Sequence, residues 1–368
     1  MMPTMSRLKR ACFAVFTFVI GVLILELSAG LMLPAVEPKP KPPAAWTGIP
    51  EDVWTEFDPK LGWFHKKSAE ARLQTKVIDH KITTNSLGLR GPREYSLKKK
   101  EGITRLYLLG DSFIFGFGVR DDETITARIE NSDPSIEAMN LGVAGYGTDQ
   151  MKLLLDRFDF DFAPDLVIIA LYPEDFWRAT RSYTDAGYSK PYFQLKRNGE
   201  LVLKNVPVPL PKSASGSQFP QIIENSVLLD FFEKSALVRL CLKLSRRLLK
   251  VTGLEDPDSS EEWRLGREVL KTAIASIRRH GAEPVLMIVP PARWITGSVE
   301  PLRDSLVLFS KREHTPMIDL TDNFRSALSE APVQHWFIPD DFHWTAAGHE
   351  LAARALLHYV NDWKNQRD

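Results

Sequence analysis

Arg105 to Val119 reads RLYLLGDSFIFGFGV, and the fold follows from how this stretch is read. Leu106 to Leu109 is a short apolar run, the pattern of a strand buried on both faces of a parallel sheet. It runs directly into Gly110-Asp111-Ser112. A strand that ends in a glycine turn delivers the next side chain to the carboxyl edge of the sheet, where open α/β sheets bind their ligands. The turn therefore predicts Ser112 as a nucleophile at the start of a helix, where free backbone N–H groups face developing negative charge.

Apolar runs alternate with helical patterns on either side of this stretch, which predicts an α/β fold with a doubly wound parallel sheet. The predicted strands are 106–109, 138–141, 166–171, 285–289 and 317–320, and the predicted helices 125–130, 150–158, 262–280, 301–312 and 346–363. The helix before Gly281 carries a stop signal, with Arg278, Arg279 and His280 in its last turn. That gives His280 a structural reading.

A serine nucleophile needs a base, and Pro339 to Val360, PDDFHWTAAGHELAARALLHYV, supplies one. Asp341 and His343 sit two residues apart just ahead of a helical pattern, with Thr345 as its N-cap. In an extended loop, residues i and i+2 point the same way. One loop then presents the His343 imidazole to Ser112 while Asp341 holds the other ring nitrogen, the logic of nucleophile, base and orienter. His349 reads as a packing residue of the helix start, and His65 and His80 as ordinary strand or loop histidines.

Together with NLGVAGYGTDQ, from Asn140 to Gln150, these blocks resemble the SGNH/GDSL hydrolase superfamily, in order from about Asn85 to the C-terminus. The resemblance implies a flavodoxin-like three-layer sandwich, Gly145 as an oxyanion-hole residue, and no cofactor. It also implies a serine esterase or acyl-transfer enzyme acting on O-acyl groups of a glycan or lipid. Asp340 precedes His343 as well, and the superfamily shows both spacings; Asp341 is preferred because Asp-x-His-Trp matches the form in which a tryptophan follows the base.

The superfamily's third block carries an Asn-Asp pair after a strand, whereas DLVIIALYPEDFW has Glu174-Asp175 at that place. The asparagine side-chain donor is absent, and losing one such donor typically costs about 3 to 4 kcal/mol of transition-state stabilisation. Glu174 is expected at the oxyanion or substrate. As an ionised carboxylate it repels the oxyanion; as a protonated one it donates to it. The rival expectation is a weak or inactive SGNH fold that binds a glycan or scaffolds a membrane partner.

Composition narrows the surroundings. Lys and Arg number 47, as do Asp and Glu, so no basic footprint for nucleic acid is present. Two cysteines, Cys12 and Cys241, exclude a disulfide framework. The histidines are scattered without metal-ligand spacing, and Gly116 and Gly118 are not followed by the residues of a dinucleotide or phosphate loop.

Arg7, Lys9 and Arg10 precede a long apolar run from Ala11 to Val36 broken by one carboxylate, Glu26. The run is long enough to span a bilayer core, although a central carboxylate costs about 3 kcal/mol on insertion scales. It predicts a transmembrane anchor over 1–36; a cleaved signal peptide with small residues Ser28, Ala29 and Gly30 at its end is the alternative. Either reading puts the body outside the cytoplasm, in the periplasm or the extracellular space. A proline-rich spacer over 37–53 should be extended, followed by a small β extension over 54–100 and the hydrolase-like domain over 101–368. That domain contains an insertion at about 177–258. The insertion begins with the aromatic-rich RSYTDAGYSKPYF and runs through a hairpin pattern around Asn198-Gly199. It continues to a helical pattern, Glu224 to Lys250, with apolar and basic faces. Lid, structural cap and lipid-contacting helix are its open readings.

Overall fold

A computed structural model of the chain describes residues 54–74, 77–158, 160–184, 188–210, 260–297, 299, 301–339 and 341–367. The predicted anchor, the proline-rich spacer up to residue 53, the amphipathic stretch 224–250 and Asp340 lie outside these residues. Among the described residues, no helix is long and apolar enough to cross a membrane.

The extension forms two antiparallel hairpins, β1 (Thr55–Asp58) with β2 (Gly62–His65) and β3 (Glu70–Gln74) with β4 (Asp79–Thr83). Then come β5 (Thr104–Gly110), α1 (Ser112–Phe115), α2 (Ile125–Ser132), β6 (Ile136–Gly142), α3 (Thr148–Phe158), β7 (Leu166–Leu171) and α4 (Pro173–Ala179). A third hairpin, β8 (Tyr192–Leu195) and β9 (Leu201–Lys204), turns at Asn198-Gly199, where Gly199 has φ +84°. The chain resumes with α5 (Glu261–Arg279), β10 (Glu283–Ile288), α6 (Ala292–Thr296) and α7 (Pro301–Arg312). It closes with β11 (Met317–Asp319), α8 (Thr321–Ala327), α9 (Val333–Trp336) and α10 (Ala346–Asn365).

Five strands form one parallel sheet in the order β11-β10-β7-β5-β6. The chain enters at β5, steps to β6 on one side, and then crosses to β7 on the other. Such a reversal opens a crevice at the carboxyl ends of the strands. Gly110-Asp111-Ser112 leaves β5 at that crevice.

Alternation along the strands makes two cores. On β7, Val167, Ile169 and Leu171 pack with Leu154 of α3, Ile274 of α5 and Phe309 of α7. The intervening Leu166, Ile168 and Ala170 pack with Ile129 of α2, Phe324 of α8 and Leu356 of α10. Each side chain fully buried in this way contributes about 1.5 to 3 kcal/mol relative to exposure. A parallel sheet is stable only when both faces are covered like this.

Smaller features follow the same logic. Ser260 caps α5 by accepting from Trp263 N, and Arg278 and Arg279 fill its last turn before Gly281, whose φ is +80°. His280 bonds the Ser276 carbonyl and stacks on Phe160, as its structural reading requires. The β8–β9 hairpin lays Phe193, Leu195 and Leu201 on Leu265 and Val269 of α5, so this part of the insertion covers a helix. Just before β5, Lys99 Nζ pairs with Asp165. The same carboxylate accepts from Arg105 N and so fixes the entry of β5.

Candidate active site

Gly110 ends β5 where a Cβ would lie 2.4 Å from Ile114 Cγ1, so only glycine lets α1 fold back over the strand. Asp111 caps α1: its Oδ1 accepts from Phe113 N at 3.0 Å. The helix has a single turn, so its backbone N–H groups act individually and not through a summed dipole. As the first helical residue, Ser112 has an N–H with no intrahelical acceptor.

The second element is the loop between α9 and α10. Ile338 N donates to the His343 carbonyl and Asp341 N to the Ile338 carbonyl, which folds the loop into a tight turn. Thr345 caps α10 by accepting from Gly348 N. His343 Nε2 lies 2.7 Å from Ser112 Oγ, and Nδ1 lies 2.5 Å from Asp341 Oδ1. With Nδ1–H donating to the carboxylate, Nε2 is free to accept the serine O–H. Phe342, Phe117 and Phe113 surround the imidazole at ring-centroid distances of 4.4, 4.7 and 5.2 Å and leave it little freedom to rotate.

Burial pushes the Asp341 carboxyl up, but hydrogen bonds from the His343 ring and backbone, with the histidine charge, outweigh it and hold it below the ordinary carboxylate range. His349 is displaced the other way: burial first, then the charges of Arg90, His343 and Arg128, lower its pKa to about 3. A ring that resists protonation and packs edge-on against Trp344 at 5.5 Å fits the packing role read for it. His65, with its Nδ1 on the Gly88 carbonyl, is lowered to about 4 mainly by burial.

Gly145 follows β6 in the next crevice loop and has φ +80°, a left-handed conformation that glycine adopts without strain. Val143 N donates to the Gly110 carbonyl at 3.1 Å, which ties this loop to the turn carrying Ser112. A second tie is not legible in the sequence. Arg178 Nη1 reaches Asp111 Oδ2 at 2.9 Å, Asp175 Oδ1 at 2.8 Å and the Tyr146 carbonyl at 3.4 Å. Its only sequence signal is its position three residues after Asp175 on one helix face.

Glu174 lies in the first turn of α4, beside the crevice. Its Oε1 accepts from Arg293 of α6 at 3.3 Å, and its buried Oε2 has no hydrogen-bond partner among the described residues. The structure thus brings Ser112, His343 and Asp341 into one hydrogen-bonded line and sets a cation against Glu174. Among the described residues, no group of three or more His, Cys, Asp or Glu is arranged to hold a metal ion.

Residues 106–356 match the model of the GDSL-like lipase/acylhydrolase family. The chain belongs to this family. Membership places this GDSL-like acylhydrolase among hydrolases acting on ester bonds. No curated protein matches the chain significantly. Among solved structures, the acylhydrolase is similar to the psychrotrophic esterase EstA from Pseudoalteromonas sp. The identity is 12% over 71% of this chain and 99% of that one, with a TM-score of 0.40. It is also similar to the lipase/acylhydrolase from Enterococcus faecalis, at 12% identity over 70% and 95% of the two chains and a TM-score of 0.37. A lipolytic G-D-S-L protein from Veillonella parvula DSM 2008 has 10% identity over 70% and 97%, with a TM-score of 0.41. The family assignment rests on the sequence match alone.

Proposed function

We propose that the chain is a serine esterase or acyl-transfer enzyme whose nucleophile is Ser112, whose general base is His343 and whose orienting carboxylate is Asp341. The observation that carries this reading is the 2.7 Å contact between Ser112 Oγ and His343 Nε2, continued to Asp341 at 2.5 Å. Ser112 Oγ attacks the ester carbonyl carbon while His343 takes its proton. The tetrahedral adduct then expels the alcohol, which leaves with that proton, and an acyl-enzyme remains. Water or a second alcohol attacks the acyl-enzyme with His343 again as base. The N–H groups of Ser112 and Gly145 hold the oxyanion. Covalent capture by a fluorophosphonate tests the reading: mass spectrometry should find the adduct on Ser112, and no capture at any pH refutes it.

Glu174 decides how well the oxyanion is held. Glu174→Gln keeps an acceptor for Arg293 and removes the negative charge, so kcat on a short-chain aryl ester should stay within about threefold. Glu174→Ala leaves that carboxylate position empty, and kcat should fall about tenfold. Equal rates for the two variants would mean that Glu174 does not face the reacting oxygen and that backbone donors act alone.

The substrate class in this proposal is the O-acyl groups of an extracytoplasmic glycan or lipid, and the argument for it is one of location. Basic residues before a bilayer-length apolar run keep the first residues inside and carry the body across. Protease added to intact spheroplasts should digest the body beyond Trp46 and spare the first ten residues. A protected body with a cut N-terminus would reverse the topology.

A further inference from the structure

We propose that Trp63 is a positioning residue for the oxyanion donor Gly145, which makes the N-terminal β extension part of the catalytic machinery. The inference rests on the reading of Ser112 as nucleophile and Gly145 as donor. Trp63 lies on β2, is fully buried, and donates from Nε1 to the Ala144 carbonyl at 3.1 Å. Its own carbonyl accepts from the Tyr146 hydroxyl, and the two rings meet edge-on with centroids 5.4 Å apart. One residue therefore holds both neighbours of Gly145, from a position 81 residues before the first of them.

The geometry of the peptide bond turns this contact into aim. The Ala144 carbonyl and the Gly145 N–H belong to one planar trans peptide, in which C=O and N–H point in opposite directions. Fixing the carbonyl oxygen on Trp63 therefore fixes the direction of the Gly145 N–H. A glycine with φ +80° needs such a constraint, because without a Cβ its flanking peptides rotate at little cost. The Tyr146 carbonyl, one residue further on, is held by Arg178, which also bonds the Asp111 carboxylate.

The extension is anchored well enough to bear this load. Gln150 Nε2 donates to the Leu61 carbonyl at 2.8 Å, and Trp54, Leu73, Ile78 and Ile82 share a small core with Phe115, Phe117 and Ile338. Those three partners lie on the nucleophile turn and the base loop. Arg90 also leaves the extension, to donate to the carbonyls of Gly116 at 3.3 Å and Val119 at 2.9 Å just beyond α1.

The test uses the full chain with Trp63→Phe, which keeps an aromatic ring and removes the N–H, and with Tyr146→Phe, which removes the hydroxyl. Losing an oxyanion donor outright costs about 100- to 1000-fold in kcat, and misaiming one should cost less. Trp63→Phe should lower kcat on a short-chain aryl ester about 10- to 100-fold with KM within about twofold. Fluorophosphonate capture at Ser112 should slow by the same factor, because the phosphonyl oxygen uses the same donor. Tyr146→Phe should act in the same direction, and the double variant should lose less than the product of the single losses, since both contacts act through Trp63. If kcat and capture stay within about twofold in both variants, or KM rises while kcat holds, the proposal is overturned. Losses that multiply and follow the melting temperature also overturn it, as they report general destabilisation. Should Trp63→Phe fail to fold, the same readouts on Tyr146→Phe decide. Ser112→Ala separates the two levels: activity that survives it refutes the nucleophile itself, whereas an inert Ser112→Ala beside an unaffected Trp63→Phe refutes only the positioning role.

Discussion

Ser112→Ala is expected to lower kcat on a short-chain aryl ester by about 10⁶-fold, the size of loss seen when a triad serine is removed, and to abolish fluorophosphonate capture. The fold should survive with a modest loss of stability. Ser112 Oγ bonds His343 Nε2, and its removal leaves one buried acceptor unsatisfied at a cost of about 1 to 3 kcal/mol. In a domain of this size each kcal/mol moves Tm by about 2 to 4 °C. Steady-state kinetics and a thermal melt on the same preparation check both halves. Activity near wild type would move the nucleophile elsewhere and end the present reading, whereas loss of activity with a collapsed Tm would make Ser112 a structural residue.

Asp341→Asn should carry the next largest penalty. Asp341 Oδ1 accepts from both the His343 ring and the His343 backbone N–H, at 2.5 and 2.9 Å, so it sets where the ring sits and which nitrogen carries the proton. An amide also presents an N–H, which favours the imidazole tautomer that leaves its proton on Nε2 and cannot accept from serine. The equivalent change in a chymotrypsin-type triad costs about 10⁴-fold in kcat, and a loss of that order with little change in KM is expected here. Asp340→Asn should stay within about threefold. The opposite ranking in kinetics of the two variants would hand the orienting role to Asp340.

Hydrophobic period and turn residues make much of this architecture legible in the chain itself. Runs such as LVIIAL at 166–171 are too short and too uniformly apolar for anything but a buried strand, and the structure has a strand over those residues. Helix ends with strong chemistry, Gly281 after α5 and Thr345 before α10, also fall where their residue types ask. The short helices α4, α6, α8 and α9 are not legible in this way, because four to seven residues carry too few turns for a helical period to show.

The site divides along the same line. Ser112 beside a glycine turn, and Asp341 and His343 at i and i+2, are local patterns, and local patterns survive in the sequence. That the two loops meet, 231 residues apart, is a consequence of packing: Phe337 and Trp344, on either side of the base loop, share a core with Phe113 of α1. Trp63 and Arg293 have no such signal, and Arg178 has only its i, i+3 spacing from Asp175. Each acts through a partner distant in sequence or across a helix, and a tryptophan or an arginine alone says nothing about which carbonyl or carboxylate it will meet. The sheet strands, the Gly110-Asp111-Ser112 turn and the loop carrying Asp341 and His343 can be read from the chain, because each depends on contacts within a few residues. Which side chains meet the Gly145 loop and Glu174 cannot be read there, because those contacts exist only once distant segments are packed against each other.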